Sequence, residues 1–216
     1  MKIKDISLLC LIFLWLNFLN RSLGTFLPRI YIKIQIASMG YFVNLGASIC
    51  YLIFYYLLFV EFRSQSNLRL KNASIYPIIT SFLILLNQLD HLFLILLVRI
   101  HSNFAPRPFL AIILPLLSSI SVIYFLKMLY NVSKSKIPVL QKAAQAGIIG
   151  HGIAVVIHLI SILNLVFRRI LPDFYQFGNA TAIMIFPIIL LSTIFIAYFY
   201  RTLYKHSQQL TYLQEL

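Results

Sequence analysis

Residues Ala143–Phe167 read AAQAGIIGHGIAVVIHLISILNLVF, a stretch without a single Asp, Glu, Lys or Arg. As one helix it is long enough to cross a hydrocarbon core of about 30 Å. Its two histidines, His151 and His158, are its only titratable side chains. Water offers nothing that would keep such a segment helical and dissolved, whereas a bilayer does. This reading decides the fold class, because comparable runs recur along the rest of the chain.

Outward from that stretch, five more apolar runs stand out: about Ile6–Leu19, Ile36–Val60, Ile75–Val98, Phe109–Tyr130 and Ala180–Tyr200. They are continuous rather than alternating, which favours helices over a membrane β-barrel. The whole chain is 61% hydrophobic and 11% charged, where a soluble domain carries about 25% charged residues. The expectation is an all-α, polytopic transmembrane bundle with six spans, or five if the first segment is cleaved. Connecting segments are short, so no soluble domain is expected. Residues 1–200 form one bundle domain in this reading, and residues 201–216 a short amphipathic cytoplasmic tail.

The first segment also has the layout of a signal peptide, with Lys2 and Lys4 ahead of an apolar stretch and a small-x-small site at Ser22–Gly24. Asn20 and Arg21 fit poorly before a cleavage site, so a retained helix continuing toward Pro28 is the expectation. Arg29–Ile36 alternates apolar and polar residues and reads as an interfacial linker or a helix start. The net charge is +13, scattered through the short loops. That pattern suits topology and anionic lipid headgroups, and it does not suit nucleic acid. With six spans, 11 Lys and Arg fall on the side of the termini and 7 on the other, which places both termini in the cytoplasm. Sequons at Asn20, Asn72, Asn131 and Asn179 are chance occurrences. Cys10 and Cys50 read as buried thiols. Tyr51, Tyr55, Tyr56, Tyr198, Tyr200 and Tyr204 read as aromatic belts near helix ends. Leu203, Leu210 and Leu213 are spaced to dock on a partner or to lie on the membrane.

Ionisable groups within the bilayer are costly and are often functional. In the third span Asn87, Asp90 and His91 follow i, i+3, i+4 spacing and share a helical face, with Gln88 beside them. In the fifth span His151 and His158 share a face about 10 Å apart along the axis, and Ser161 continues it. The two groups are at similar depth, so the expectation is a buried Asp–His cluster. Asp90, His91, His158, Asn87 and His151 are the candidate ligand- or proton-binding residues. Each also has a plain explanation: Asn, Gln and Ser serve as interhelical hydrogen-bond glue, and a histidine can sit neutral with one partner.

Ala143-xxx-Gly147 and Ala146-xxx-Gly150 are small-xxx-small patterns that bring helices close, or leave room for a flat ligand near His151. Pro115 and Pro187 interrupt the fourth and sixth spans. Metalloprotease, serine-hydrolase, thiol-oxidoreductase and phosphate-loop motifs are absent. Three functions fit: a non-enzymatic sensory, transport or complex-forming bundle, in contact with a membrane partner or a second copy; a b-type haem electron carrier ligated by His91, His151 or His158; and a lipid-modifying enzyme using a His/Asp pair. The first fits best. Any metal or cofactor is otherwise open.

Overall fold

The computed structural model describes residues 2–26, 36–64, 68–98, 108–134, 137–170 and 178–210; the side chains at 36–39, 64, 91–98, 108–109, 111–112, 168–170 and 178–183 fall outside the description. Six helices make up nearly all of it: α1 (Ile3–Phe26), α2 (Ile36–Ser64), α3 (Leu68–Val98), α4 (Pro108–Ser133), α5 (Pro138–Ile170) and α6 (Gly178–His206). They contain 24 to 33 residues, about 36 to 50 Å of helix. Each contains a segment long and apolar enough to cross a membrane. The chain is therefore an all-α bundle with the makeup of a multi-pass membrane protein, as its apolar runs lead one to expect.

The helices run beyond the apolar stretches at almost every end. Hydropathy marks only the part that needs lipid, while the backbone ladder continues until a local signal stops it. Pro108 and Pro138 supply such signals at the starts of α4 and α5, where a missing N–H costs nothing. The longest extensions are seven residues each, at the end of α1, which reaches Phe26 rather than Leu19, and at the start of α3, which begins at Leu68 rather than near Ile75. Pro77 is accommodated inside it, as Pro115 is in α4 and Pro187 in α6.

Each helix packs on its neighbours in sequence, and α6 closes back on α1. The result is a ring of six antiparallel neighbours. Individual contacts fix the register. Ser192 Oγ in α6 donates to the Gly150 carbonyl of α5 at 2.8 Å. Thr80 of α3 and Ser121 of α4 share a hydrogen bond at 2.9 Å. Phe186 of α6 meets both Phe18 and Phe26 of α1. Near the termini Lys4 Nζ lies 5.2 Å from the Tyr204 ring centre.

The glycines of α5 divide by role. A Cβ on Gly150 would lie 2.7 Å from Ile196 Cγ1 and 3.0 Å from both the Ile196 nitrogen and the Ser192 oxygen. That backbone contact lets α5 and α6 touch. Gly147 sits against Leu126 and Phe199, while Gly152 faces open space. The small-xxx-small stripe is thus occupied by close packing at Gly147 and Gly150, which leaves no slot there for a flat ligand.

The packed core is lopsided. Its buried members are Ile6 and Cys10 of α1, Cys50–Phe62 positions of α2, Leu70 and Ala73 of α3, Val122–Leu129 positions of α4, Leu140–Ala144 positions of α5 and Ile196–Leu203 positions of α6. All lie toward the end of the ring that carries both termini. Phe54, Phe62, Phe125 and Phe199 fill its centre. After α6 a short 3₁₀ turn brings Leu210 onto this core, with Leu203 also buried there. These two leucines are therefore covered by the chain itself; Leu213 lies outside the described residues.

Candidate functional site: a polar cavity inside the ring

Away from the packed end, the ring encloses a cavity of about 250 Å³ to which all six helices contribute. From α1 come Leu14, Asn17, Phe18 and Arg21, at i, i+3, i+4 and i+7, so that they share one face. From α2 come Asn44, Ala47, Ser48, Tyr51 and Tyr55; from α3, Ser81, Ile84 and Gln88. From α4 come Pro115, Ser118, Ser119 and Val122; from α5, His151, Ala154, Ile157 and His158. From α6 come Ile189, Ser192, Thr193, Ile196 and Tyr200. Each helix therefore turns a narrow polar stripe inward and leaves its apolar sides to lipid and to its neighbours.

Tyrosines form the floor. Tyr51 stacks on Tyr200 with ring centres 5.9 Å apart and planes 15° from parallel. Tyr55 and Tyr200 are buried, at 1% and 2% exposure, and edge-on contacts tie them to Phe54 and Phe125. Of the six tyrosines that read as belt residues, these three are interior. Tyr56 and Tyr198 are exposed, as the belt reading expects.

Many wall groups are satisfied locally. Ser48 donates to the Asn44 carbonyl at 3.0 Å and Thr193 to the Ile189 carbonyl at 2.9 Å. The Tyr41 hydroxyl donates to the Gln88 carbonyl, tying α2 to α3 beside the cavity. Other groups are not satisfied. Asn17 Oδ1, Gln88 Oε1 and both His151 ring nitrogens are buried and have no hydrogen-bond partner among the described residues. Arg21 is exposed and lines the cavity. Its backbone oxygen accepts from the Thr25 hydroxyl at 2.9 Å, and among the described residues none pairs with its guanidinium.

Among the described residues the expected Asp–His cluster is not seen. Asp90 is exposed, and among the described residues no three His, Cys, Asp or Glu side chains come together. The reason is rotational. The inward face of α3 is set by Ser81, Ile84 and Gln88, and two residues beyond Gln88 the helix has turned by about 200°. Asn87 is half-buried and is not a wall residue. The His91 side chain lies outside the described residues, so the Asp90–His91 and His91–His158 pairings do too. His151 and His158 do share the cavity face of α5, as their spacing implies. Because both come from one helix, of the three candidate haem ligands only His91 would come from a second helix. Ser161 donates to the Ile157 carbonyl at 2.9 Å within its own helix rather than bridging to another.

Several wall residues escaped the sequence reading, above all Asn17, Arg21, Asn44, Ser48, Tyr51, Tyr55, Ser81 and Tyr200. A usable signal was present: Asn44, Ser48, Tyr51 and Tyr55 fall at steps of four, three and four, a polar stripe on one face of an apolar helix. The Arg29–Ile36 linker lies outside the described residues, apart from the helical backbone of Ile36. No protein-family model, curated protein or solved structure matches this chain, so its cavity stands as the principal guide to what it does.

Proposed function

We propose that this multi-pass membrane protein is a non-enzymatic ligand-binding bundle of the sensory or transport class. Its central cavity holds a small polar ligand. The observation that carries this reading is the set of buried, unpartnered polar atoms on the wall: Asn17 Oδ1, Gln88 Oε1 and both nitrogens of His151. Leaving such a group unsatisfied costs about 1–3 kcal/mol, and an apolar side chain in its place would avoid that cost. A ligand, or water that a ligand displaces, accounts for keeping them. His151 and His158 are the ligand- or proton-binding histidines in this reading. Asp90 and Asn87 are left without a part in it.

Within that class, sensing is favoured over transport. The half of the ring that carries the termini is filled by Phe54, Phe62, Phe125 and Phe199, so a passing solute would have to part a packed aromatic layer. The positive-inside reading places that sealed half in the cytoplasm. It gains from Arg21, which belongs to the cavity rather than to a loop, so the loop tally becomes 11 against 6. The cavity then opens toward the other side of the membrane.

Cysteine chemistry tests the reading. In a background with Cys10 and Cys50 replaced by alanine, Ser119→Cys and Ser192→Cys are exposed to a small, water-soluble methanethiosulfonate reagent. Both should react when it is added outside intact cells, and Ala154→Phe, which fills the cavity, should slow the reaction at least tenfold. If neither cysteine reacts from either side of the membrane in a folded protein, no accessible cavity exists and the reading fails.

A further inference from the structure

We propose that the cavity selects a small organic monoanion, a carboxylate of fewer than about ten non-hydrogen atoms that also carries a hydroxyl or amino group, with Arg21 as its anchor. This rests on the cavity reading above and adds the class of ligand to it.

Charge makes the first argument. Arginine stays ionised under all ordinary conditions, and a cation on the wall of a cavity within a membrane bundle attracts a balancing negative charge. The chain has only five Asp and Glu residues. None of the three described ones lines the cavity: Asp5 is in the first turn of α1, Glu61 is near the end of α2, and Asp90 faces outward. Asp173 and Glu215 lie outside the described residues. His158 and Tyr51, which share the cavity with Arg21, bring no negative charge of their own near neutral pH. One fixed positive charge among neutral groups is matched by one negative charge. A guanidinium also presents a planar fork that fits a carboxylate through two parallel hydrogen bonds.

The remaining groups sharpen the class. Asn17 Oδ1 and Gln88 Oε1 are acceptors, buried and without donors, so the ligand should bring hydrogen-bond donors as well as its charge. Asn17 precedes Arg21 by one helical turn, which places an acceptor next to the anchor. Volume sets the size: 250 Å³ is about eight times the share of one water molecule in the liquid. The position also decides the source of the anion. The cavity lies inside the ring, walled by all six helices, so a free metabolite fits it and a headgroup still attached to its acyl chains does not.

The test uses full-length protein purified in an uncharged detergent at low chloride, read by thermal unfolding. Lactate is the probe, lactamide its neutral counterpart, succinate the dianion, and phosphatidylglycerol added to the micelles supplies the lipid anion. Lactate should raise the midpoint at millimolar concentration, with lactamide and succinate at least tenfold weaker. Arg21→Gln should abolish the lactate response, Arg21→Lys should weaken it at least tenfold, and Ala154→Phe should abolish it with Arg21 intact. If Arg21→Gln does not purify as a monodisperse protein, Arg21→Lys and Ala154→Phe carry the test.

Equal responses to lactate and lactamide, unchanged in Arg21→Lys, would overturn the anion class and leave the cavity reading standing. Stabilisation by phosphatidylglycerol alone would overturn the free-metabolite source. Loss of stability in Asp173→Asn equal to that in Arg21→Gln, with no lactate response in the parent, would make Arg21 a structural ion-pair member and overturn the proposal. No response to any probe, together with unreactive cavity cysteines, would remove the proposal and the cavity reading alike.

Discussion

Gly150 and Gly152 are two residues apart on the same helix, yet they should respond to the same substitution in opposite ways. At Gly150 a methyl group would press on the backbone of α6, which cannot swing aside as a side chain can. Gly150→Ala should destabilise by about 1–3 kcal/mol, the usual cost of overfilling a packed site. At Gly152 nothing lies within 4 Å, so alanine gains helix propensity without a clash. Gly152→Ala should be neutral or stabilising by up to about 1 kcal/mol. Unfolding in a graded mixture of denaturing and mild detergents measures both, and equal effects would contradict the close approach of α5 and α6.

His151 poses a different question, since neither ring nitrogen has a described partner. Replacing an unsatisfied polar group by an apolar one removes a penalty instead of a bond. His151→Leu should leave the ligand-free protein within about 1 kcal/mol of the parent or above it, while any ligand-induced rise in midpoint falls. A large loss of ligand-free stability would mean that the imidazole has a structural partner after all.

At this scale the sequence was informative where spacing along one helix was enough. His151 and His158 share the cavity because seven residues bring a helix back to nearly the same face. Asp90 misled because its inward direction depends on which face of α3 the ring uses. Ser81, Ile84 and Gln88 decide that, and nothing local to Asp90 reveals it. Arg21 was hidden by its neighbourhood: next to the end of an apolar run, a lone arginine looks like a loop charge.

Between elements, the contacts that hold register are few and weak taken singly. The Ser192 bond to the Gly150 carbonyl is the clearest one between α5 and α6. Hydrogen bonds between membrane helices average about 0.6 kcal/mol, so Ser192→Ala should cost near that value. Packing should matter more. Phe54 is fully buried against Tyr55, Phe199 and Tyr200. Phe54→Ala should cost more than Ser192→Ala but less than the roughly 3–5 kcal/mol of an aqueous core, because the reference chain already sits in lipid. The same detergent titration ranks the two, and a reversed order would point to polar rather than aromatic control of the sealed end.

The elements themselves were readable because a bilayer demands continuous apolarity, which survives any uncertainty about neighbours. Their ends were less so. In α3 the polar start from Leu68 to Ser74 looks like a loop, yet Leu70, Ala73 and Ser74 are buried in the core, and that tertiary burial sustains the helix. The tyrosines of α2 and α6 show the same limit. A tyrosine near a helix end suits a membrane interface and an interior floor equally well, and only the partner rings of Tyr55 and Tyr200 decide between them.

At the level of the whole molecule, the lopsided core separates two tasks. One half of the ring is close-packed and supplies rigidity; the other holds polar groups without partners among the described residues, where the proposed ligand would bind. Substitutions in the sealed half should therefore change stability with little change in ligand selectivity, and those on the wall the reverse.

The closure of α6 on α1 also bears on how the chain could be cut and rejoined. Its first and last described helices lie side by side with their free ends at the same edge, Lys4 against Tyr204. Chain order is then only one way of travelling round the circle. A circular permutant that joins residue 216 to residue 1 through a flexible linker and begins at residue 67 should assemble the same ring, because termini that lie close together tolerate such rearrangement. Its thermal midpoint and its cavity-cysteine reactivity should match those of the parent. A permutant that failed to insert would show that the order in which the helices enter the membrane, and not their final neighbours alone, selects the closed arrangement.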